Sequence, residues 1–436
     1  MTRNKLFLAL AGSLFLLFLL WAFSSVSIRR TAPDQPKLGI TNEQLADIEE
    51  RQSAPGSAVD YARLDERLQR LMESDSMVGL AVGVVENGEI RFLKGYGITA
   101  AGSTDPVGTD TVFRWASLSK GVAADMVALL AAENKLSLYE PVGKYSLSLR
   151  LPGGNEQKAT VSDLLSHRLG LFAHANDPKL EADFDPKHLR SNLATLNAIC
   201  SPGQCHAYQN VAYDAASEVV EKVTGRPYAE VVRERLFLPL GMSSATMTRE
   251  GLMSAASWAK PHTGGRKSRP LEVAEAYYRV PAAGGVNSSI KDLAAWMQAQ
   301  MGADPQVLPA AALQAVQSPR VRTPNQQRKF RERIPVANYG LGWRIYDFAG
   351  HRVIGHHGGV RGYRSLILFD PLLRSGVVAL WNNSRTSQPN GIEIEVMDMI
   401  YRLPTRDWLG IDGDSRTPPV EEEPDNVQVD TGGTAR

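Results

Sequence analysis

The stretch Ser117-Leu118-Ser119-Lys120 decides the fold of this chain and stands directly before a long apolar, alanine-rich run. That run predicts a buried helix within residues 113–136. Positions three apart on a helix share a face, so the Lys120 amine can reach the Ser117 hydroxyl. The first turn of a helix adds unpaired backbone N–H groups and a partial positive charge, which favour negative charge on the serine oxygen. The stretch therefore indicates a serine that attacks a carbonyl with a lysine beside it.

Two other serine–lysine pairs have the same spacing, Ser257/Lys260 and Ser288/Lys291, but neither has the same context. Ser257 leads into a stretch with Gly, Lys and Pro and no helical periodicity. Ser288 and Ser289 precede a helical pattern as a typical N-cap. Chance supplies one or two such pairs in a chain of this length. Only the Ser117/Lys120 pair is therefore interpreted as a candidate for catalysis.

Length and composition exclude several classes of protein. The 436 residues allow one large or two medium domains, and the apolar and charged fractions of 43% and 22% are those of an ordinary globular protein. The formal net charge is +1. Because there is no basic stripe with interleaved aromatic residues, we expect no nucleic-acid partner.

The N-terminus has the pattern of a membrane-targeting segment. Arg3 and Lys5 precede the apolar run 6–23, which just reaches the length needed to span a bilayer and is long for a signal-peptide core. We expect residues 1–23 to be a signal anchor, with a cleaved signal peptide as the alternative, and residues 24–60 to be a linker. The catalytic domain is then expected in a bacterial periplasm, held by a single-pass inner-membrane anchor. After signal cleavage it would instead be soluble in the periplasm or secreted.

The chain has two cysteines, Cys200 and Cys205. In an exported protein such a close pair predicts a disulfide that closes a short loop. Free thiols, or zinc ligation together with His206, are the alternatives, although the spacing is not that of a usual zinc site.

Strand signals lie at the two ends of the folded region and helical signals in the middle. Two β-type runs joined by Asn87-Gly88 predict an early hairpin. We therefore expect an α+β fold in which the first and last strands pair into one antiparallel sheet flanked by helices. The expected domain spans residues 61–403. Within this domain, a sheet lobe is expected at 61–115 and 336–403, and an inserted, mainly helical lobe at 116–335. Residues 404–436, which follow the domain, are expected to be a disordered tail.

Two later segments complete a three-part pattern. Tyr208-Gln209-Asn210 follows a Pro-Gly pair, and His356-His357-Gly358 lies on a late strand. With the serine–lysine pair, these resemble the three motifs of the serine β-lactamase and penicillin-binding-protein-like hydrolases. The resemblance is to the branch that groups class C β-lactamases with esterases and D-amino-acid peptidases, and it covers residues 63–402. It implies the β-lactamase/transpeptidase-like fold.

The resemblance also implies a role for each motif residue. Ser117 is the expected nucleophile, and Lys120 and Tyr208 are the two candidates for taking its proton, a choice that the sequence leaves open. Asn210 is expected to hold Lys120 and a substrate amide, and His356 to link to Tyr208 or to a substrate carboxylate. Gly358, on the same strand as His356, is also expected to help to orient the substrate. The oxyanion hole is expected from two backbone N–H groups, those of Ser117 and Gly359.

The expected function is hydrolysis of an ester, amide or lactam through an acyl-enzyme on Ser117, with cell-wall peptides or small esters as substrates. No cofactor or metal is expected, and the oligomeric state is left open. A true β-lactamase is the first alternative, disfavoured because His356 stands where class C β-lactamases carry lysine. A catalytically inactive binding protein of the same fold is the second. Zinc-dependent hydrolysis through His356, His357 or the cysteine loop is the third.

Overall fold

The computed structural model describes residues 39–52, 56–324 and 328–413. The predicted signal anchor at 6–23, the linker up to residue 38 and the tail from residue 414 lie outside the described residues. Within the described ranges, no helix combines the length and the apolar character needed to cross a membrane.

A large antiparallel sheet forms the centre of the molecule. The strands are β1 Gly79–Glu86, β2 Glu89–Gly97, β3 Phe113–Arg114, β4 Asn287–Ser288, β5 Val321–Thr323, β6 Val336–Tyr339, β7 Arg344–Phe348, β8 His351–Val360, β9 Tyr363–Asp370 and β10 Ser375–Trp381. Among the described residues, eight of them form one sheet in the order β2-β1-β10-β9-β8-β7-β6-β5, and β3 pairs with β4. Leu80 of β1 lies opposite Trp381 of β10. The prediction that the first and last strands share one antiparallel sheet is confirmed.

Helices fill the middle of the chain and cover both faces of the sheet. They are α1 Asn42–Gln52, α2 Tyr61–Leu71, α3 Ser119–Ala132, α4 Val161–Leu165, α5 Asp177–Glu181, α6 Pro186–Asn192, α7 Ala215–Thr224, α8 Tyr228–Val232, α9 Arg249–Met253, α10 Pro281–Gly284, α11 Ile290–Gln300, α12 Ala310–Val316 and α13 Gly391–Ile400. Short 3₁₀ segments lie at Ala116–Leu118, Val142–Lys144, Pro152–Gln157, Leu193–Thr195, Ala276–Arg279, Arg328–Phe330 and Gln388–Asn390, and a π-helical turn lies at Arg233–Phe237.

Local side-chain chemistry explains where several helices begin. The Thr160 side chain accepts from the Asp163 backbone N–H and the Asp163 carboxylate accepts in return, which makes a capping box at the start of α4. Ser289 caps α11 by accepting from the Asp292 N–H. That role confirms the interpretation of the third serine–lysine pair as a helix start.

The chain breaks between the end of β6 at Tyr339 and the start of β7 at Arg344. Gly342 lies between them with a φ of 72°, and a Cβ placed there would lie 2.5 Å from the carbonyl oxygen of Lys120. The chain turns at this point because it runs against the backbone of α3, and glycine permits both the turn and the close approach.

The helix that follows Ser117 is internal. Its residues from Ser119 to Leu130 are all buried. A helix that is apolar on every side belongs in a core. On one side, Trp296 stacks between Trp115 and Trp343 with ring centroids 5.1 and 5.0 Å apart. Two of these rings pack against the start of α3, where a Cβ on Gly121 would meet both Trp296 and Trp343.

The ends of the domain differ from the prediction. Ile48 of α1 is buried in the core, although the sequence places it in a linker. Residues 404–413 of the expected disordered tail are also packed, with Trp408 and Leu409 buried. Arg67 of α2 holds this segment by pairing with carboxylates far along the chain, Glu395 at 2.6 Å, Asp407 at 2.8 Å and Asp412 at 2.7 Å. Sequence periodicity carries no signal for ion pairs between such distant residues.

The end of β8 forms an open edge of the sheet. Arg344 of β7 pairs with Gly355, and the pairing of β7 with β8 goes no further along β8. On the other side, β9 continues to pair as far as Val360. In the described chain, residues 356–360 thus have a strand on one side only, and their other side borders the cleft described next.

Candidate active site

Ser117 lies in the 3₁₀ turn Ala116–Leu118, immediately before α3. Ala116 has a φ of 50°, a left-handed conformation that is uncommon for a residue with a side chain. The sheet holds this turn in place, since Ser365 of β9 donates a hydrogen bond of 2.6 Å to the carbonyl of Trp115. A Cβ on Gly358 would collide with that same carbonyl. Glycine at 358 therefore lets β8 lie directly against the backbone of the turn that carries Ser117.

Lys120 lies one helical turn beyond Ser117 and is fully buried. Its Nζ donates to Ser117 Oγ at 3.2 Å, to Asn210 Oδ1 at 2.7 Å and to the carbonyl of Ala283 at 2.8 Å. The amine also lies 4.7 Å from the centre of the Tyr208 ring. These contacts aim the buried amine at the serine hydroxyl.

Asn210 connects that amine to a carboxylate that the sequence did not single out. Its Nδ2 donates to Asp177 Oδ2 at 2.6 Å, and His174 Nδ1 lies 2.8 Å from the same oxygen. Asp177 opens the short helix α5, and an aspartate beside a proline at a helix start is ordinary in sequence. Its bond to an amide 33 residues later in the chain appears only in the folded structure.

Tyr208 is half-buried and borders the same cleft as Ser117. Its ring packs against His167, with centroids 4.3 Å apart. Its backbone carbonyl accepts a hydrogen bond of 2.8 Å from the His174 N–H. Ser117 and Tyr208, 91 positions apart in the chain, thus border the same cleft, and the buried Lys120 amine contacts Ser117 Oγ.

A second polar network, formed by His167, Tyr339 and His356, lies behind the cleft. His167 Nδ1 accepts from the Gln209 N–H at 3.1 Å, so its Nε2 carries the proton and donates to Tyr339 Oη at 3.1 Å. The tyrosine then donates to His356 Nε2 at 3.0 Å, and His356 Nδ1 donates to the carbonyl of His357 at 2.6 Å. Every group has a defined donor or acceptor role.

All three members of this second network are uncharged. Burial lowers the pKa of His167 well below its usual range, with His206 and Lys120 adding to the effect. Burial, with the cations Arg344 and Lys120, does the same to the pKa of His356. Burial raises the pKa of Tyr339 well above its usual range.

This network corrects the expected contacts of His356. The sequence linked it to Tyr208 or to a substrate carboxylate. Its ring does lie beside the Tyr208 ring, with centroids 6.2 Å apart, but both of its ring nitrogens bond inside the protein, to Tyr339 and to the carbonyl of His357. Only 3% of the residue is exposed. A neutral, buried imidazole of this kind holds β8 in place and offers no positive charge to a ligand.

The residues named for the oxyanion hole flank the cleft from two sides. Ser117 borders it at the start of α3 and Gly359 borders it on the open edge of β8. Gly359 is exposed, and a Cβ built there would have no atom within 4 Å. The space in front of this strand edge is therefore open to a ligand.

The cleft has a volume of about 490 Å³, within the range of small-molecule sites. Its helical wall includes Asp177, Glu181 and Tyr277. Its sheet wall includes both Arg344 and Arg364. The charges on the two walls thus differ in sign.

The two cysteines form a disulfide, Cys200–Cys205, with an S–S distance of 1.99 Å, as predicted. His206 beside them is half-buried, and the burial of its ring lowers its pKa to about 3. No cluster of three or more His, Cys, Asp or Glu residues suited to a metal ion occurs in the described part of the chain.

Comparison with known proteins agrees with this geometry. The Beta-lactamase family model matches residues 64–397. The chain is 29% identical over 333 residues to the unguisins hydrolase ungD' of Aspergillus campestris, covering 72% of this chain and 60% of that protein. It is 26% identical over 252 residues to the D-alanyl-D-alanine-carboxypeptidase/endopeptidase AmpH of Escherichia coli K12, covering 55% of this chain and 62% of that one. The chain thus spans less than two thirds of the length of either relative.

Solved structures share the fold. The octameric penicillin-binding protein homologue from Pyrococcus abyssi superimposes with a TM-score of 0.71 at 22% identity, over 81% of this chain and 80% of that one. A class C beta-lactamase superimposes with a TM-score of 0.64 at 20% identity, and the match covers 81% of this chain and 99% of that one. At these identities the likeness concerns the fold alone. With the family match over most of the chain and the three motifs meeting in one cleft, this protein belongs to the beta-lactamase family.

Proposed function

We propose that this protein is a serine hydrolase that forms an acyl-enzyme on Ser117. The observation that carries the proposal is the buried Lys120 amine, 3.2 Å from Ser117 Oγ and held by Asn210 at 2.7 Å. A serine hydroxyl is almost entirely neutral at pH 7, so it needs a base within hydrogen-bond reach to act as a nucleophile. The relatives named as a hydrolase and a carboxypeptidase support the same class of reaction.

In the proposed reaction, Ser117 Oγ attacks the carbonyl carbon of an ester, amide or lactam as its proton passes to Lys120 or Tyr208. Negative charge then develops on the carbonyl oxygen. The backbone N–H groups of Ser117 and Gly359 are the proposed donors to that oxygen. Removing one such donor from a hydrolase typically costs about 3 kcal/mol of transition-state stabilisation.

The leaving group departs with the proton, which leaves an ester on Ser117. Water then attacks this ester and returns the serine to its free form. The choice between Lys120 and Tyr208 as the base stays open. The amine is fully buried and hydrogen-bonded to the serine, whereas the phenol is half-buried on the cleft wall.

The test is mass spectrometry of the intact protein after exposure to small esters, penicillins and cephalosporins. We expect an adduct on the peptide that contains Ser117, and its loss in Ser117→Ala along with turnover of a p-nitrophenyl ester. Ser288→Ala, from the Ser288/Lys291 pair with the same spacing, is the matched control and should keep both the adduct and the turnover. Full turnover by Ser117→Ala would refute the proposal.

The same experiment separates the narrower activities. Steady turnover of nitrocefin would indicate a true β-lactamase, whereas a long-lived penicillin adduct would indicate a penicillin-binding protein. Turnover of esters alone would indicate an esterase. If a folded protein formed no adduct with any of these probes or with a fluorophosphonate, it would instead be a binding protein of this fold.

We also propose that the catalytic domain works outside the cytoplasm, in a periplasm and tethered by residues 6–23. The Cys200–Cys205 disulfide supports an oxidising compartment. The test is fractionation of cells that produce the full chain. Catalytic activity in the membrane fraction is expected, with protease access from the outer side only. Activity confined to the cytosol would refute it.

A further inference from the structure

The helical wall of the cleft concentrates negative charge close to the nucleophile. Asp177 at the start of α5 and Glu181 at its end both border the cleft. Tyr277 lies on the same wall, and its hydroxyl donates a hydrogen bond of 3.1 Å to Glu181 Oε1. Burial raises the pKa of Tyr277 above its usual range, and both carboxylates add to that effect.

Asp177 also has unused hydrogen-bonding capacity. It is only 6% exposed, and its Oδ2 is occupied by Asn210 and His174. Its other oxygen, Oδ1, has no hydrogen-bond partner among the described residues. A buried carboxylate oxygen beside an open cleft favours a donor or a cation delivered by a ligand.

The opposite wall does not offer the same environment. Its two arginines, Arg344 and Arg364, lie on the sheet side of the cleft. The carboxylate there, Glu393, is 1% exposed and pairs with His357 at 2.9 Å. A cationic group on a ligand is therefore attracted to the α5 wall and repelled by the arginines.

We propose that Asp177 and Glu181 bind a free amino group on the acyl part of the substrate, so that the enzyme prefers aminoacyl donors over the same donors with the amine blocked. This inference rests on the proposed function. An α-amino group is two bonds from the reacting carbonyl carbon. Asp177 is joined to Ser117 through Asn210 and Lys120 by three short contacts, of 2.6, 2.7 and 3.2 Å. Asp177 and Glu181 also border the same cleft as Ser117, so the acidic wall faces the space that the acyl part of a substrate would occupy.

Glu181 is the residue with which to test this inference, because it is exposed and takes no part in holding Lys120 or Asn210. The probes are alanine p-nitroanilides of both configurations, each with a free and with an N-acetylated amine. We expect kcat/KM to be at least tenfold higher for the free amine in the unmodified protein. Glu181→Gln should reduce that ratio about tenfold, mainly through KM, and Glu181→Lys should abolish or invert it. Glu66→Gln, an exposed glutamate on α2, is the matched control and should leave the ratio unchanged.

The outcomes separate this inference from the proposed function. One outcome is that Ser117→Ala destroys all turnover, while the free-amine and acetylated substrates react equally in the unmodified protein and in the glutamate variants. The amine site is then refuted and the proposed hydrolase function stands. If Glu181→Gln lowers the rates of both substrates equally, the residue is structural and the inference is also refuted. If neither anilide nor any ester acylates the folded protein, the proposed function fails first.

Discussion

Two polar networks meet at the cleft, and they differ in charge. On the helical side, Lys120 and Asp177 are joined through Asn210, so an amine and a carboxylate lie at the two ends of one amide. On the sheet side, His167, Tyr339 and His356 form a chain of neutral groups with fixed donors and acceptors. Both are buried, but only the first contains a group in contact with the serine hydroxyl.

This difference separates chemistry from positioning. A network with an ionisable amine beside a nucleophile can take up and return a proton. A network of neutral groups stabilises one arrangement of the strands that it connects and has no proton to lose near neutral pH. Removing members of the first network should therefore reduce catalysis, whereas removing members of the second should mainly reduce stability.

The largest expected effect is that of Lys120→Met. Without the amine, Ser117 loses the base or the cation that assists its deprotonation, so kcat/KM for a p-nitrophenyl ester should fall by about 100- to 10,000-fold. Lys291→Met is the matched control, because this lysine has the same spacing from a serine but pairs with Asp110 at 2.7 Å. A fall of less than tenfold in Lys120→Met would show that Tyr208 suffices alone.

Asp177→Asn tests whether the carboxylate orients the amide of Asn210. An asparagine at 177 lacks the negative charge that favours the donating NH₂ of Asn210, so the Asn210 amide is held less firmly with its oxygen toward Lys120. We expect kcat for an uncharged ester to fall by up to about 100-fold, with little change in KM. Asp185→Asn, at the exposed start of the next helix, should have no such effect. A change in KM alone would contradict a positioning role.

Tyr339→Phe tests the neutral network. It leaves the Nε2 atoms of His167 and His356 without their Tyr339 partner, so the free energy of unfolding should fall by about 1–3 kcal/mol, measured by urea denaturation. The ester kcat/KM should change less than tenfold. Tyr228→Phe is the control, because the Tyr228 hydroxyl is buried without a partner among the described residues and its removal should cost less. A catalytic loss as large as that of Lys120→Met would remove the distinction between the networks.

The smallest effect on catalysis is expected for the paired change Cys200→Ser and Cys205→Ser, which lies outside both networks. Opening this short loop should lower the free energy of unfolding by about 2 kcal/mol. Thermal unfolding with and without reductant measures the change, and the unmodified protein plus reductant should match the double variant. A loss of ester turnover in the folded double variant would show that the loop also shapes the cleft.

The sequence by itself determined the parts of the protein that depend on local pattern. The β1–β2 hairpin follows from Asn87-Gly88, the start of α4 from Thr160 and Asp163, and the serine–lysine contact from helical spacing. These interactions join residues that are close in the chain. The geometry of a helix or a hairpin fixes their spacing, so they can be predicted without the tertiary structure. The order of the three motifs also indicated the family, because that order is rarely met by chance.

The tertiary structure alone decided which distant groups touch. Nothing in the sequence joins Asp177 to Asn210, Tyr339 to His356, or Arg67 to the segment after residue 403. It was therefore the fold that made His356 a neutral internal link and brought a carboxylate to the cleft. Hydrogen bonds and ion pairs between distant residues produce no periodic pattern in a sequence. The packing of the whole core sets the backbone path that brings such residues together.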